Sequence, residues 1–244
     1  VRELKRAALR ELFAVFVTRH RDADSARGRA WRRFLATHGQ ALRDHAVFMT
    51  LDAHFGRKPR GWQAWPQRYR DPRHPAVTEF AVQRRAEVEL ELWIQFELDR
   101  QLAQAAQRCR RAGMRLGLYR DLAIGSTAEG SDSWGNQAGF VFDASIGAPP
   151  DAFASTGQIW DLPPVHPLRL RERGYRDFIQ LLRASFAHSG LLRIDHVIGL
   201  VRQFWIPRGR SSRDGAFVHY PAADLFAILA LERQRHRAVV VGED

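Results

Sequence analysis

A chain of 244 residues with 45% hydrophobic residues and seven tryptophans is long enough for one α/β domain or two small ones with a sizeable core. Cys109 is its only cysteine, which excludes an intrachain disulfide and a cysteine-based metal cluster, and no apolar run reaches membrane-spanning length. The net charge of +11 invites a nucleic-acid reading, but the excess is uneven: +10 over residues 1–113 and +1 over 114–244.

Lys5 and Lys58 are the only lysines, so the basic character is almost all arginine and is scattered rather than striped. That pattern argues for a compositional bias, and no zinc-finger or RNA-binding signature accompanies it. A basic nucleic-acid-binding module remains the weaker alternative. Nothing at Val1 resembles a signal peptide, so a cytoplasmic protein without a membrane partner is expected.

In chain order, Leu4, Ala8, Leu12 and Phe16 recur every four residues and predict an amphipathic helix from Val1 to His20. Arg21 to Arg29 reads as a polar linker. Trp31, Phe34 and Leu35 resume a helical pattern that Gly39 breaks, and Leu42, Ala46, Met49 and Ala53 form a stripe closed by Gly56. Arg57 to Pro75 reads as a loop. Its Trp62 and Trp65 either pack down or stay exposed for stacking. Ala76 to Arg111 predicts a long helix, with Gly113 as a left-handed cap.

The second part changes character. Met114 to Tyr119 predicts a strand leading to Asp121. Ser126 to Phe142, with Trp134, and Gly147 to Pro167, with Gln158 and Trp160, read as long ordered loops. Tyr175, Ile179, Leu182 and Phe186 mark a helix. Gly190 then opens a strand, Leu191 to His196, in which Arg193 and Asp195 share one face and Ile194 takes the other. A lone carboxylate on such a strand needs a partner to offset its charge, and Arg193 is placed to be one. Arg208 to Gly215 is a hairpin candidate. Pro221 suits the first position of a helix running to His236.

Ala238 to Gly242 is a second strand ending in carboxylates. The alternation of helix and strand predicts parallel strands with helical crossovers, whose chemistry sits at the carboxyl ends. Asp195 and Glu243 both fall there. Two carboxylates facing one cavity are what glycoside chemistry requires, whereas a structural ion pair is the plainer reading of Asp195 taken alone.

Asp121 in Tyr119-Arg120-Asp121-Leu122-Ala123, the loop Gly147-Ala148-Pro149-Pro150-Asp151, the run Gly157-Gln158-Ile159-Trp160, the strand Arg193-Ile194-Asp195-His196 and Gly242-Glu243-Asp244 occur in one order. In that order they resemble the amylomaltases, the 4-α-glucanotransferases of the α-amylase superfamily. The closest likeness is to the bacterial maltodextrin-metabolism type. The resemblance covers the second half and, more weakly, the helical first half.

It implies a partial (β/α)8, TIM-type barrel with a large helical insertion, the insertion at 1–113 and the barrel part at 114–244. The chain then reads as an internal fragment, and a truncated non-catalytic glucan-binding remnant stands beside the enzyme as an alternative. By the same resemblance Asp195 is the nucleophile, Arg193 its charge partner and Glu243 the general acid/base. Asp121, His196, Gln158 and Trp160 match substrate-contacting or site-shaping positions, with Trp134 a further candidate for sugar contact.

Four of them have a plainer alternative: a strand-end acceptor for Asp121, a satisfied imidazole for His196, loop core for Trp134 and Trp160. Maltooligosaccharide donor and acceptor are the expected partners, with no cofactor and no metal. The double role of Glu243 calls for a pKa near neutral.

Overall fold

The computed structural model describes residues 2–56 and 61–243. Asp244 and the start of the loop expected from Arg57 lie outside the described residues. The chain forms two compact units, Val1–Gln101 and Leu102–Asp244.

The first unit is helical. Helix α1 (Arg2–Phe16) runs into a π-helical turn, Val17–Arg21, and α2 (Ala26–Phe55) follows. The expected polar linker is therefore shorter than its composition suggests. Ser25 caps α2, its Oγ accepting the Gly28 N–H at 3.0 Å. Gly39 breaks the helical path as expected, with φ 53° and ψ −134° inside α2. Helix α3 (Pro75–Gln83) and helix α4 (Arg85–Arg111) split the single long helix read from the sequence, the break falling at Arg84.

Aromatic packing holds this unit. Phe16, Trp31, Leu90, Trp93 and Phe96 form one buried cluster, with Trp31 meeting Phe16 and Phe96 edge-on at 5.6 and 5.5 Å. Trp62 and Trp65 are 6% and 3% exposed, so the loop tryptophans pack down.

Helix α4 continues to the Gly113 cap. Gly113 has φ 79°. Its N–H donates to the Arg110 carbonyl at 3.1 Å and that of Met114 to Cys109 at 3.1 Å, the paired bonds of a Schellman motif.

The second unit is mixed helix and sheet. Strand β1 is Tyr119–Leu122, several residues later than Met114–Tyr119 predicted. A one-turn helix, α5 (Ser131–Gly135), precedes β2 (Ala144–Ala148) and β3 (Gln158–Leu162), then α6 (Pro167–Glu172), α7 (Arg176–Phe186) and β4 (Leu191–Ile194). Strands β5 (Arg202–Pro207) and β6 (Ala216–His219), α8 (Ala222–His236) and β7 (Val239–Gly242) complete it. Pro221 sits one place before its expected position, as the N-cap of α8.

Two sheets result. One is parallel, in the order β1-β4-β7; the other is antiparallel, in the order β3-β2-β5-β6. The stretch read as loop from Gly147 to Pro167 thus contains β3 and belongs to the second sheet. Leu182 and Phe186 of α7, Leu192 and Ile194 of β4, Leu229 of α8 and Ala238 form one buried cluster against the parallel sheet. Burying such aliphatic side chains contributes about 1.5–3 kcal/mol each.

Gly190 opens β4 because no side chain fits there: a Cβ would stand 1.7 Å from the Leu116 carbonyl oxygen. Among the described residues, no helix is long and apolar enough to cross a membrane.

Candidate active site at the ends of the parallel strands

Alternation along β4 sets the site. Leu192 and Ile194 point into the core at 0% and 5% exposure, so Arg193 and Asp195 take the opposite face. The register pairs Arg193 with Asp121 on β1 and with Val241 on β7. The backbone ladder runs past the strand ends. The Asp195 N–H donates to Leu122 O at 3.0 Å, and that of Glu243 to Ile194 O at 3.0 Å. The Val197 N–H donates to the Glu243 carbonyl at 2.7 Å and ties the two ends together. Gly242 lets β7 come this close, since a Cβ there would lie 2.8 Å from Val197 Cγ1.

Arg193 is the hub. Its Nη1 donates to both Asp121 oxygens at 2.8 and 2.7 Å. Its Nη2 donates to Asp195 Oδ1 at 2.9 Å and lies 3.1 Å from Glu243 Oε2. Asp195 and Glu243 thus meet at one nitrogen, and those two oxygens are no farther apart than two hydrogen-bond lengths. Three carboxylates share one guanidinium, leaving a surplus of negative charge. The carboxylate side chains are 58%, 39% and 48% exposed for Asp121, Asp195 and Glu243, so this charge faces solvent.

The guanidinium pKa rises, first through its hydrogen bonds to Asp121, and Arg193 is a permanent cation. Glu243 is held below the ordinary glutamate range. The backbone N–H of His196, 3.3 Å from Oε2, is the largest cause. Burial works against it, and the charge and hydrogen bonding of Arg193 add to it. This differs from the near-neutral value expected from sequence. The expectation took no account of an arginine and a backbone donor converging on the same carboxylate.

His196 adopts left-handed backbone angles, φ 50° and ψ 58°, immediately after Asp195. Its ring meets Trp160 of β3 edge to face, with centroids 5.4 Å apart. Trp160 in turn donates its indole N–H to Gln158 Oε1 at 2.8 Å. Asp121, Arg193, Asp195, His196, Gln158, Trp160 and Glu243 are therefore linked by direct contacts.

Trp134 is not. It is 0% exposed within α5, beside the equally buried Ser133, whose hydroxyl contacts the Ala128 carbonyl at 2.7 Å. No face of its ring is open to a sugar, so the sequence expectation of sugar contact gives way to a packing role. The bidentate grip of Arg193 on Asp121 was not read from sequence. Its only trace there is a carboxylate ending a strand. Among the described residues, no group of three His, Cys, Asp or Glu side chains is placed to hold a metal ion.

Comparison with known proteins agrees on one family. The chain matches the 4-alpha-glucanotransferase family over residues 1–244. It is similar to the 4-alpha-glucanotransferase of Mycobacterium tuberculosis (strain H37Rv), 41% identical over 241 residues, covering 98% of this chain and 32% of that protein. The 4-alpha-glucanotransferase of Haemophilus influenzae is 35% identical over 247 residues, covering 99% of this chain and 35% of that protein.

The crystal structure of amylomaltase from Corynebacterium glutamicum superposes with a TM-score of 0.79 at 34% identity, over 98% of this chain and 31% of that one. Amylomaltase from Streptococcus agalactiae, solved in complex with acarbose, shares the fold with a TM-score of 0.85 at 21% identity, over 99% of this chain and 48% of that one. The chain spans about a third of the length of the first relatives it matches. Across its whole length it belongs to the 4-alpha-glucanotransferase family.

Proposed function

We propose that this chain carries the catalytic strand ends of a retaining 4-α-glucanotransferase. In this reading β1, β4 and β7 are three neighbouring strands of a (β/α)8 barrel. Residues 114–244 bear the site, and residues 1–113 form a helical insertion. The observation that carries the reading is the convergence of Asp195 and Glu243, from adjacent parallel strands, on one arginine nitrogen. The partners are an α-1,4-glucan donor and a maltooligosaccharide acceptor.

Asp195 attacks the anomeric carbon of the donor and forms a glycosyl ester as the glycosidic oxygen departs. Glu243 gives that oxygen its proton. It then takes the proton of the incoming 4-hydroxyl as the acceptor displaces Asp195. Retaining chemistry of this kind places the two carboxyl groups about 5–5.5 Å apart.

Arg193 Nη2 donates to Asp195 Oδ1 and fixes that carboxylate for the attack. Glu243 must hold a proton for the first step, and its present contacts oppose that. A glucan entering between the two acids removes water and draws Glu243 away from Arg193, which raises its pKa in the required direction. The edge-to-face pair of Trp160 and His196 gives a sugar an apolar wall beside Asp195 and shields the ester from water.

Maltotriose disproportionation, followed as glucose release, tests the assignment. Asp195→Asn should lower turnover by about 10⁴-fold or more. Turnover at the unsubstituted level would remove Asp195 from the nucleophile role.

A further inference from the structure

Strand β3 is irregular at one place. Gly147 pairs with Ile159 and the neighbouring Ile146 pairs with Leu162, so Trp160 and Asp161 lie between consecutive register partners. The two form a bulge, a device that re-aims a side chain next to a site. Asp161 has φ 56° in the left-handed region, and its side chain is exposed. Asp and Asn enter this region more readily than most residues.

Five non-glycine residues among the described ones share positive φ: Asp161, Tyr175, His188, His196 and Arg237. Tyr175 and Arg237 cap helices α7 and α8, and His188 follows the end of α7. Left-handed residues are common just past a helix C-terminus, where Arg237 and His188 lie, and Tyr175 stands in the short turn between α6 and α7. Asp161 and His196 are different, because one sits in a strand and the other follows one. They also flank a single ring pair: Asp161 adjoins Trp160, whose ring meets that of His196 at 5.4 Å and 85°.

An extended φ at Asp161 would draw the two bulged residues back into the β2–β3 ladder and turn Trp160 away. Gly147 leaves room for the ladder to close on the other side, as its absent Cβ would lie 2.1 Å from the Gln158 carbonyl. We propose that Asp161 is a positioning residue, whose left-handed backbone and not its carboxylate aims Trp160 at His196 and so sets glucan affinity beside Asp195. The ligand in this proposal rests on the glucanotransferase reading; the ring geometry does not.

Four substitutions in the full chain separate backbone from charge. Asp161→Gly and Asp161→Asn accept the left-handed conformation, whereas Asp161→Ala and, more strongly, Asp161→Val resist it. Two quantities are read: the nuclear Overhauser contact between the Trp160 indole and the His196 ring in the free protein, and maltotriose affinity by calorimetry.

Asp161→Val should lose the ring contact and weaken maltotriose binding about tenfold. Asp161→Ala should move both the same way by less, and remains interpretable if the valine variant folds poorly. Asp161→Gly and Asp161→Asn should keep the contact and stay within about twofold of the parent affinity. A valine or alanine variant that keeps the ring contact, or an asparagine variant that loses it, overturns the proposal. A parent chain that does not bind maltotriose sinks the glucan reading, while the ring contact still decides the role of Asp161.

Discussion

Two arginine–carboxylate clusters lie in the second unit, and they are built on opposite charge balances. Between α7 and α8, one carboxylate, Glu232, has two arginines. Arg183 grips it at 3.0 and 2.9 Å, and Arg235 adds a contact of 2.7 Å. Glu232 is 1% exposed. At the strand ends the ratio inverts: Arg193 serves Asp121, Asp195 and Glu243, all of them open to solvent.

A buried acid needs its charge fully offset, so a surplus of cation marks a structural pair. An uncompensated, accessible surplus of anion adds nothing comparable to stability. It does suit a reacting centre that develops positive charge, as a glycosyl carbon does. Charge balance, more than the presence of an ion pair, separates the two clusters.

Removing Arg193 should break the contrast most sharply. Arg193→Ala leaves three carboxylates together with no cation, so the Glu243 pKa should rise. Disproportionation should fall by about 10²–10³-fold, with the alkaline limb of its pH profile, set by protonated Glu243, displaced upward. Arg193→Lys should recover only part of the rate, because an ammonium cannot hold three carboxylates in the same planar fork. An unshifted alkaline limb in Arg193→Ala would separate Arg193 from Glu243.

Glu232→Ala tests the other cluster. It should lower stability by about 2 kcal/mol in denaturant unfolding, a figure kept small because both arginines are half exposed and return to water. Maltotriose affinity should not change. A loss of affinity without loss of stability would show that the charge-balance distinction fails.

Gly242→Ala probes the link between core and site. Its methyl would crowd Val197 at 2.8 Å and displace Glu243, lowering turnover with a stability cost of about 1 kcal/mol by thermal melting.

The smallest effect is in pH dependence. The folded-state pKa of Glu243 lies below its ordinary value of 4.5, so its contacts stabilise the fold above that value and are lost as pH falls through the depressed one. The melting-temperature difference between the parent and Glu243→Gln should therefore shrink on acidification below pH 4.5. A difference that stays constant would remove Glu243 from the network.

Much of this contrast was legible before any coordinates. Period two along Leu192, Arg193, Ile194 and Asp195 separated core from site, and β-branched residues marked β7. The glycines at 39 and 113 act where the pattern placed them. What failed to show was short or non-local. Strands β2 and β3 are five residues each and carry glycine, proline or polar neighbours, so no alternation announced them.

The break at Arg84 interrupts an apolar period that runs on through it. The Asp121–Arg193 bond spans 72 residues, and no local pattern encodes it. Trp134 had two readings in the sequence, because a tryptophan in a polar segment looks the same whether it packs inward or waits for a ligand; its burial favours the first.

The Asp121–Arg193 separation of 72 residues and the His196–Glu243 separation of 47 also bear on how the molecule matures. Helices α7 and α8 close through local contacts, but the charged cluster exists only after β1, β4 and β7 have found one another. Non-local parallel pairing is a slow event in folding. Asp195 stands two residues from Arg193 from the outset, whereas Asp121 and Glu243 reach that arginine only through strand pairing, so the cluster of three carboxylates is completed late.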